Sequence, residues 1–449
     1  MASFSKFNFK NLMQLKEKIA ELNLDIELTE DLRPLARQVK IGGWELPNSL
    51  AVHPMEGCDG SEDGSPSELT FRRYQRFARG GAGLLWFEAT AVVPEGRANP
   101  RQLYINRSNV HTFKELLETA RREAGDSMGA GHRPLCILQL THSGRYSKPY
   151  GKPQPVIAYH DPHLDARAGV APEQEPVTDA ELEKLQDKYV EAALLAREAG
   201  FDGVDIKACH RYLLSELLAA HTRTGRYGGD FKNRTRFLLE TIEKVRARTG
   251  NDFILAVRLN AYDAHPYPYG WGVDPEDYTR ADLSEPIRLV RLLKEKGVTL
   301  VSISAGNPYY TNPEVTRPFD TPPKGAGLPA EHPLESVARL FKITREVQEA
   351  EPGLAVVGSG YSWLRQFFGH AAAANIARGA ATLAGAGRLA FAYPDFARDL
   401  LTNGQLDERR VCIACSRCTQ IMRDGGRTGC VVRDGEVYMP IYKELSSAS

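Results

Sequence analysis

The sequence predicts an α/β fold in which eight parallel strands alternate with helices and close into a (β/α)8 TIM barrel. Two observations support this prediction: eight short apolar runs recur along the chain, and helical patterns separate them. The alternative is a doubly wound open sheet, which usually shows G-x-G-x-x-G after its first strand. Here the first apolar run is followed by Pro-Met-Glu-Gly-Cys-Asp-Gly, which does not match that pattern. The barrel is therefore the favoured fold.

The predicted strands are short, largely apolar and bounded mostly by Gly, Pro, Asn or Asp. Runs that are apolar throughout suit parallel strands that are buried on both faces. In chain order the predicted strands are residues 49–53, 83–88, 135–140, 203–206, 253–259, 300–304, 354–358 and 380–384.

Three helices between these strands have clear boundaries in the sequence. One begins after Thr178, which forms a capping-box signature with Glu181 three residues later. Two more are predicted over residues 237–249 and 284–296, each closed by a glycine, and the latter has Ser284 as its N-cap.

Length and composition fit one large domain with two short additions. The chain has 449 residues, of which 42% are hydrophobic and 25% charged, as in ordinary globular proteins. We expect an N-terminal helical extension over residues 1–44, the barrel over 45–404 and a cysteine-rich tail over 405–449. The amphipathic residues 12–22 either cap the base of the barrel or mediate self-association into a homo-oligomer.

The charge balance and the hydrophobic pattern exclude several classes of partner. Lys plus Arg and Asp plus Glu each number 57, so the formal net charge is zero, which gives no support for a nucleic-acid or anionic-membrane interface. No stretch of about 20 apolar residues is long enough to span a bilayer. The N-terminus lacks the apolar core of a signal peptide. We therefore expect a cytoplasmic protein.

If the fold is a barrel, the functional residues lie at the carboxyl ends of the strands. The ends of the last two strands carry Gly358, Gly360, Gly387 and Arg388. Loops after the seventh and eighth strands are the usual phosphate site of this fold, and Arg binds a dianion bidentately. Two tight turns are the alternative interpretation. The long segments 144–175 and 260–285 are expected to cover the site.

Two polar residues end interior strands and suggest what the phosphate belongs to. A buried Arg258 needs an anionic partner, and Gln139 offers a donor and an acceptor side by side, which suits an amide–imide ring edge. With the phosphate corner, they indicate a flavin mononucleotide lying across the barrel. The alternative is that both side chains satisfy a neighbouring loop.

Three residues follow the fourth predicted strand and are candidates for the reaction itself. His210 is suited to hold a carbonyl oxygen, and Tyr212 to deliver a proton. Lys207 is suited to stabilise a developing enolate or to bind a substrate carboxylate. Against these roles, a lone His or Tyr is more often a packed residue and a lone Lys is usually solvated.

Several stretches of the sequence resemble the old yellow enzyme family of FMN-dependent oxidoreductases. Residues 81–97 read GAGLLWFEATAVVPEGR and residues 139–145 read QLTHSGR. Residues 202–218 read DGVDIKACHRYLLSELL, and residues 224–237 read TGRYGGDFKNRTRF. The resemblance covers roughly residues 45–400 and implies the same barrel, FMN as the cofactor, and NADH or NADPH as the reductant.

The resemblance also implies roles for individual residues. Gln139 would contact the pyrimidine edge of the flavin and Arg258 its N1–C2 edge. The Gly360 and Arg388 regions would hold the phosphate. Tyr212 occupies the position of the proton donor. The remaining residues that the resemblance places beside the ring are Pro54, Met55 and Ala89.

The substrate-holding pair of the family is only half present. His210 matches its second member, whereas Lys207 stands where the first member is usually His. A long cation differs from a planar donor in reach and direction. This difference favours an anionic substrate or an altered oxyanion site over the simple enones. Glu56 and Cys58 also differ from the cysteine that some members place just after Pro-Met.

Four of the seven cysteines are clustered near the C-terminus, at Cys412, Cys415, Cys418 and Cys430. This spacing suits a [4Fe–4S] cluster, with zinc as the main competitor and unligated thiols as the third alternative. The arrangement resembles the segment that follows the barrel in dienoyl-CoA reductases and trimethylamine dehydrogenase. Those relatives carry a further nucleotide-binding module, whereas here 19 residues without a G-x-G-x-x-G motif follow Cys430.

The sequence therefore predicts an FMN-dependent oxidoreductase that reduces an activated alkene in a small-molecule substrate. Electrons are expected from NADH or NADPH at the same FMN, or through the cluster from a separate electron-transfer protein. Three alternatives stay open: an amine dehydrogenase or demethylase, a non-catalytic electron-transfer subunit, and a zinc-binding barrel without flavin. An amine substrate would need an aromatic cage, for which the candidates are Tyr262, Tyr267, Tyr269, Tyr309 and Tyr310.

Overall fold

The computed structural model describes residues 3–310 and 313–448. Eight parallel strands form a closed barrel, which confirms the predicted fold class. The barrel closes where the last strand pairs with the first, with Ala384 beside Leu50 and Ala386 beside Val52. A separate antiparallel hairpin precedes it. In chain order the strands are β1 Val39–Ile41, β2 Trp44–Leu46, β3 Leu50–Val52, β4 Leu84–Ala91, β5 Leu135–Thr141, β6 Gly203–Ile206, β7 Ile254–Tyr262, β8 Leu300–Ala305, β9 Ala355–Gly358 and β10 Leu383–Ala386.

All eight predicted strands occur, and the last one is displaced along the chain. The prediction covered residues 380–384, whereas β10 begins at Leu383. The amide of Ala380 donates to the carbonyl of Asn375, so these residues still close the preceding helix. An apolar run does not show where a helix exit ends and a buried strand begins.

Helices separate the barrel strands as the alternating pattern predicts. They are α1 Leu12–Glu21, α2 Glu68–Arg79, α3 Val110–Met128, α4 Asp165–Ala168, α5 Asp179–Glu198, α6 Leu213–Leu218, α7 Phe231–Thr249, α8 Ser284–Glu295, α9 Pro313–Thr316, α10 Pro333–Ala350, α11 Phe368–Ala377, α12 Arg388–Ala392, α13 Phe396–Asn403, α14 Arg417–Arg423 and α15 Gly435–Ala448.

The capping predictions have mixed outcomes. The box at the start of α5 is present: the Glu181 amide donates to Thr178 Oγ1 and the Thr178 amide donates to the Glu181 carboxylate. Helix α7 begins six residues before the predicted start because Asp230 caps it. The prediction of Ser284 as an N-cap is wrong, since Ser284 is the first residue of α8 and its amide donates to Asp282.

The hairpin of β1 and β2 closes the amino-terminal end of the barrel. Ile41 and Leu46 are buried in one cluster with inward-facing strand residues that include Leu84 and Ile137. Just before the hairpin in the chain, α1 buries Leu15 and Ile19 in the main core of its own chain. This end is therefore a packed plug, and the site must lie at the other end.

The C-terminal segment lies across the carboxyl ends of the strands. Asp434 accepts hydrogen bonds from Arg72 and Arg76 of α2. The Thr428 amide donates to the Gly57 carbonyl at 2.6 Å, in the loop that follows β3. The tail therefore forms part of the wall of the barrel mouth. Within the described ranges, no helix combines the length and apolar character that crossing a bilayer requires.

Candidate active site

A cleft with a cavity volume of about 190 Å³ opens at the carboxyl ends of the strands. Its walls come from the loops after several strands and from α14 of the tail. Nine of the twelve residues predicted to act in catalysis or cofactor binding line it. They are Pro54, Met55, Lys207, His210, Tyr212, Arg258, Gly360, Gly387 and Arg388.

The other three predicted cofactor residues, Ala89, Gln139 and Gly358, are not among the residues that line the cleft. The Gln139 amide donates to Asp205 Oδ2 at 2.5 Å, so its partner lies in the neighbouring strand β6 and not in a loop. Burial raises the pKa of Asp205 to about 6. Gln139 thus serves a buried carboxylate beneath the floor of the cleft, and its predicted contact with a flavin stays a prediction.

The cationic side of the cleft holds guanidinium groups with unpaired N–H donors. Among the described residues, Arg258 has no partner for Nε and Nη1, and Arg388 has none for Nη1. Burial lowers the pKa of Arg258. Arg388 Nη2 donates to the Pro318 carbonyl at 2.5 Å, which fixes its orientation. Buried donors of this kind need an anionic or carbonyl acceptor, so these residues fit a flavin ring edge and its phosphate.

Two glycines keep this corner free of side chains. Gly360 has φ = +101°, in the left-handed region, and forms the turn after β9. A Cβ on Gly385 would lie 2.1 Å from His53 Nε2, so any other residue there would displace the imidazole. Backbone groups at the ends of β9 and β10 therefore remain accessible to a ligand, as phosphate binding requires.

Another guanidinium of the cleft lining, that of Arg317, was not predicted from the sequence. Burial is the main cause that lowers its pKa to about 10, and the neighbouring charge of Arg388 lowers it further. It follows the short helix α9, and no strand end or recognisable motif marks it. Three-dimensional placement of the loop after β8 is the only signal that identifies it.

The opposite side of the cleft holds a fully partnered set of polar groups. Lys207 Nζ lies 2.9 Å from Glu56 Oε1. The hydroxyl of Tyr212 donates to the same carboxylate, at 3.3 Å from Oε1 and 3.4 Å from Oε2. Lys207 Nζ also lies 3.9 Å from the centroid of the Tyr212 ring. Glu56 therefore joins two of the three predicted catalytic residues.

In the sequence, Glu56 is notable only as a departure from the family pattern. The sequence did contain a feature that predicts this contact. A carboxylate follows the first barrel strand and an ammonium follows the fourth, so both charges lie at the same end of the barrel. Burial raises the pKa of Tyr212, and the Glu56 charge raises it further. The phenol therefore keeps its proton at neutral pH.

His210 lies apart from this pair. Its Nε2 is 3.1 Å from Ser304 Oγ, and its backbone has φ = +61°. Burial lowers its pKa well below the ordinary value, and the charges of Arg258 and Lys207 lower it further. The imidazole is therefore neutral and has a single N–H to donate.

The five tyrosines proposed as an aromatic cage are not gathered around the cleft. Of the five, Tyr309 alone is among the lining residues. Its ring stacks on Tyr146 at 3.6 Å between centroids. Tyr262 is buried and donates to the Tyr278 carbonyl, and Tyr267 is 47% exposed. This arrangement does not form an amine cage.

The two long segments predicted to cover the site are held together by buried ion pairs. Arg211 contacts Asp161 at 3.1 Å in one segment and Asp263 at 3.2 Å in the other. His265 Nε2 is 2.8 Å from the same Asp161 carboxylate. Removing one partner from such a network is costly, so the two segments are positioned rigidly relative to each other.

The four clustered cysteines line a second, smaller cavity. This cavity and the large cleft share Cys418, Arg388 and Phe391 in their walls. The Ala414 amide donates to Cys412 Sγ at 3.4 Å, and the Arg433 amide donates to Cys430 Sγ at 3.3 Å. Backbone donors to sulfur stabilise thiolates, so the segment suits metal-bound cysteines.

The cysteines do not converge on one point. Over residues 3–310 and 313–448, no three His, Cys, Asp or Glu side chains form a group that could hold a single metal ion. Burial raises the pKa of Cys412 and of Cys430 to about 11. Both groups are therefore thiols unless a metal supplies compensating positive charge.

The profile of the NADH:flavin oxidoreductase / NADH oxidase family matches residues 34–271. The chain belongs to this family. It is therefore an FMN oxidoreductase that uses NADH or NADPH, and the resemblance to the old yellow enzyme family is confirmed. The match includes β3 to β7 and hence Glu56, Lys207, His210, Tyr212 and Arg258.

The fraction of each relative's length that this NADH:flavin oxidoreductase matches differs from one relative to the next. An NADPH dehydrogenase of Geobacillus thermodenitrificans (strain NG80-2) is 33% identical over 269 residues, which make up 59% of this chain and 70% of that protein. An NADH oxidase of Thermoanaerobacter brockii is 28% identical over 383 residues, 84% of this chain and 52% of that protein. The chain thus spans about half the length of that NADH oxidase.

The shared fold extends beyond the family match. A 2-naphthoyl-CoA reductase in complex with 2-naphthoyl-CoA superposes with a TM-score of 0.71 at 19% identity. The superposition covers 93% of this chain and 58% of the other. At this identity the likeness establishes the fold alone, over nearly the whole chain.

Proposed function

We propose that this oxidoreductase reduces an activated carbon–carbon double bond conjugated to a carbonyl or carboxyl group. The observation that carries the proposal is the division of one cleft into a cationic side with unpaired donors and a side with a positioned phenol. FMN, when bound, supplies the hydride of a reduced flavin. The residues described below bind, orient and protonate.

Cofactor binding is assigned to the cationic side. Arg258 would direct its free N–H donors to the carbonyl edge of the flavin, and Arg388 would meet the phosphate. Gly360 and Gly387 leave the backbone accessible there. Pro54 and Met55 lie in the same wall and would pack against the ring.

Substrate activation is assigned to the other side. The neutral His210 would donate its N–H to the substrate carbonyl oxygen, which withdraws charge from the double bond. Tyr212 holds a proton at neutral pH and would deliver it to the α-carbon. The ammonium of Lys207 is already paired with Glu56, so the anionic-substrate role expected for it would require breaking a buried ion pair.

We further propose that Cys412, Cys415, Cys418 and Cys430 hold a [4Fe–4S] cluster. A zinc ion needs its thiolates about 2.3 Å from one point. The four cysteines line one cavity, and the proposal rests on that shared lining and on their spacing in the sequence. Because its cavity adjoins the flavin cleft, the cluster would exchange single electrons between the cleft and a separate electron-transfer protein.

The oxidative alternative, an amine dehydrogenase or demethylase, has weaker support. A cationic amine needs convergent aromatic faces. Tyr309 is the one proposed cage residue that lines the cleft. Assays in both directions with an artificial electron acceptor separate the two activities: amine-dependent reduction of the acceptor without alkene reduction would favour the alternative.

The test of the reductase proposal uses four probes: 2-cyclohexen-1-one, cinnamate, crotonyl-CoA and 2-naphthoyl-CoA. The last is included because it is the ligand of the reductase that shares the fold. Oxidation of the reduced enzyme by the best probe is followed in a stopped-flow spectrometer. Tyr212→Phe should slow this step about 100- to 10,000-fold while NAD(P)H still reduces the flavin at the native rate. No reduction of any probe, or equal loss of both steps, would contradict the proposal.

A further inference from the structure

Glu56 has no role in the proposed reaction, yet it contacts both Lys207 and Tyr212. The carboxylate accepts from Lys207 Nζ at 2.9 Å and from the Tyr212 hydroxyl at 3.3 Å. We propose that Glu56 relays a proton from Lys207 to Tyr212 after each turnover. The proposal rests on the proposed function, because it requires Tyr212 to be the proton donor.

The geometry requires a proton carrier between Lys207 and Tyr212. Lys207 faces the Tyr212 ring, with Nζ 3.9 Å from its centroid, so its ammonium is directed at the π-face. No hydrogen bond joins Nζ to the hydroxyl in the described structure, whereas the Glu56 carboxylate bonds to both. Tyr212 is 3% exposed, so direct reprotonation by bulk water is restricted.

Electrostatics supply the driving force for the relay. When Tyr212 gives its proton to the substrate, a phenolate is left beside the Glu56 carboxylate. Two like charges at hydrogen-bond distance in a buried site repel strongly, so the phenolate is a strong local base. The Tyr309 hydroxyl donates to that of Tyr212 at 3.4 Å, but burial raises the pKa of Tyr309 as well, so this phenol is a poor proton source. Lys207 is a cation with a transferable proton and is held by the same carboxylate.

The step balances in protons and changes no oxidation state. The Tyr212 O–H bond breaks as the α-carbon gains a C–H bond, and the hydride on the β-carbon carries the two electrons. An N–H bond of Lys207 then breaks as Glu56 takes its proton, and the carboxyl passes a proton to the phenolate oxygen. Lys207 is left as a neutral amine. Water restores its charge through Glu56, whose side chain is 12% exposed against 3% for Lys207.

The relay predicts a separation between the first turnover and later ones. In Glu56→Gln the amide keeps a hydrogen-bonding oxygen but does not carry the proton. In Lys207→Arg the charge is kept, but a guanidinium does not release a proton in proteins. Because Tyr212 starts protonated, either variant should oxidise its reduced flavin at the native rate once. In later turnovers reprotonation of Tyr212 limits each cycle. The kcat of the variant should therefore be at least about tenfold lower than the rate of its slower half-reaction.

The experiment compares stopped-flow single turnovers with steady-state kcat, using the best of the four probes on FMN-loaded protein. Lys244→Arg, at a surface lysine paired with Asp187, is the matched control and should leave both rates unchanged. Flavin content and circular dichroism establish that each variant is folded and loaded. Native kcat in both Glu56→Gln and Lys207→Arg would overturn the relay while Tyr212 remains the donor. A native first turnover in Tyr212→Phe, or no probe reduction, would overturn the donor assignment and the relay together.

Discussion

The two sides of the cleft satisfy their polar groups in different ways. On one side Lys207, Glu56 and Tyr212 bond to one another, so the set is complete without a ligand. On the other, Arg258 and Arg388 keep N–H donors without partners among the described residues. Because an unpaired buried donor is costly, we assign the second side to a ligand that stays bound, the proposed FMN. We assign the first side to the substrate, which binds and leaves in each turnover.

Acidification should produce the largest effect, because it protonates buried imidazoles. Burial lowers the pKa of His142 to about 4, and its Nδ1 accepts from the Gly144 amide, which requires a neutral ring. The unfolded state binds the proton near pH 6.5, so this stability is present at pH 7. It is lost as the pH falls from about 6.5 towards 4, by about 3 kcal/mol for this residue.

Urea unfolding at pH 7 and at pH 5 measures this loss. His142→Asn keeps an acceptor for Gly144 but does not titrate, so its stability should change less between the two pH values. The buried imidazoles His53 and His210 also have lowered pKa values, one on each side. If the free energy of unfolding changed equally in the native protein and in His142→Asn, the pH dependence would not come from His142.

Substitution on the cationic side should weaken flavin binding. Arg258→Met removes charge-assisted hydrogen bonds, each of which contributes about 1.5–3 kcal/mol. The Kd for FMN, measured by fluorescence quenching with deflavinated protein, should rise about 10- to 100-fold. Arg258→Lys should recover part of the affinity. Arg409→Met, at an arginine whose side chain is 86% exposed, is the surface control. An unchanged Kd for FMN in Arg258→Met would show that the unpaired donors of the cationic side do not bind the flavin.

The smallest effect is expected at the contact between the tail and α2. Asp434→Asn weakens hydrogen bonds to the partly exposed Arg72 and Arg76, which should lower the free energy of unfolding by about 0.5–1 kcal/mol. Asp407→Asn, at an exposed pair with Arg409, should have no measurable effect. The urea midpoint reports both. A much larger loss in the first variant would show that this contact also supports the cleft wall.

The sequence predicted the cationic side better than the partnered side. Strand ends and glycines mark Arg258, Gly360 and Arg388, because local pattern and barrel topology together place them at the mouth. The pairing of Glu56 with Lys207 is not local, since 151 residues separate them and only the closed barrel brings them together. The partner of Gln139 was missed for the same reason, because the register of β5 and β6 places Asp205 beside it; the contact of Gln139 with a flavin stays a prediction.

The strands, too, were predicted where the local sequence pattern was sufficient. Continuous apolar runs identified all eight barrel strands because both faces of each are buried. The plug of β1 and β2 was missed because the exposed residues Lys40 and Glu45 interrupt its strands, so neither strand shows such a run. Arg317 was missed because nothing in its local sequence indicates where the loop after β8 turns.

An anaerobic analysis of purified protein tests the central claim most directly, namely that a flavin and a [4Fe–4S] cluster occupy adjoining cavities. Visible absorption, iron and sulfide content, and low-temperature EPR after dithionite reduction are measured on the native protein and on Cys430→Ser. The account predicts flavin and cluster absorption with matching iron and sulfide, and a reduced-cluster EPR signal that Cys430→Ser lowers while it retains FMN. Native protein that contains flavin and zinc, and takes up no iron and sulfide on reconstitution, would contradict it.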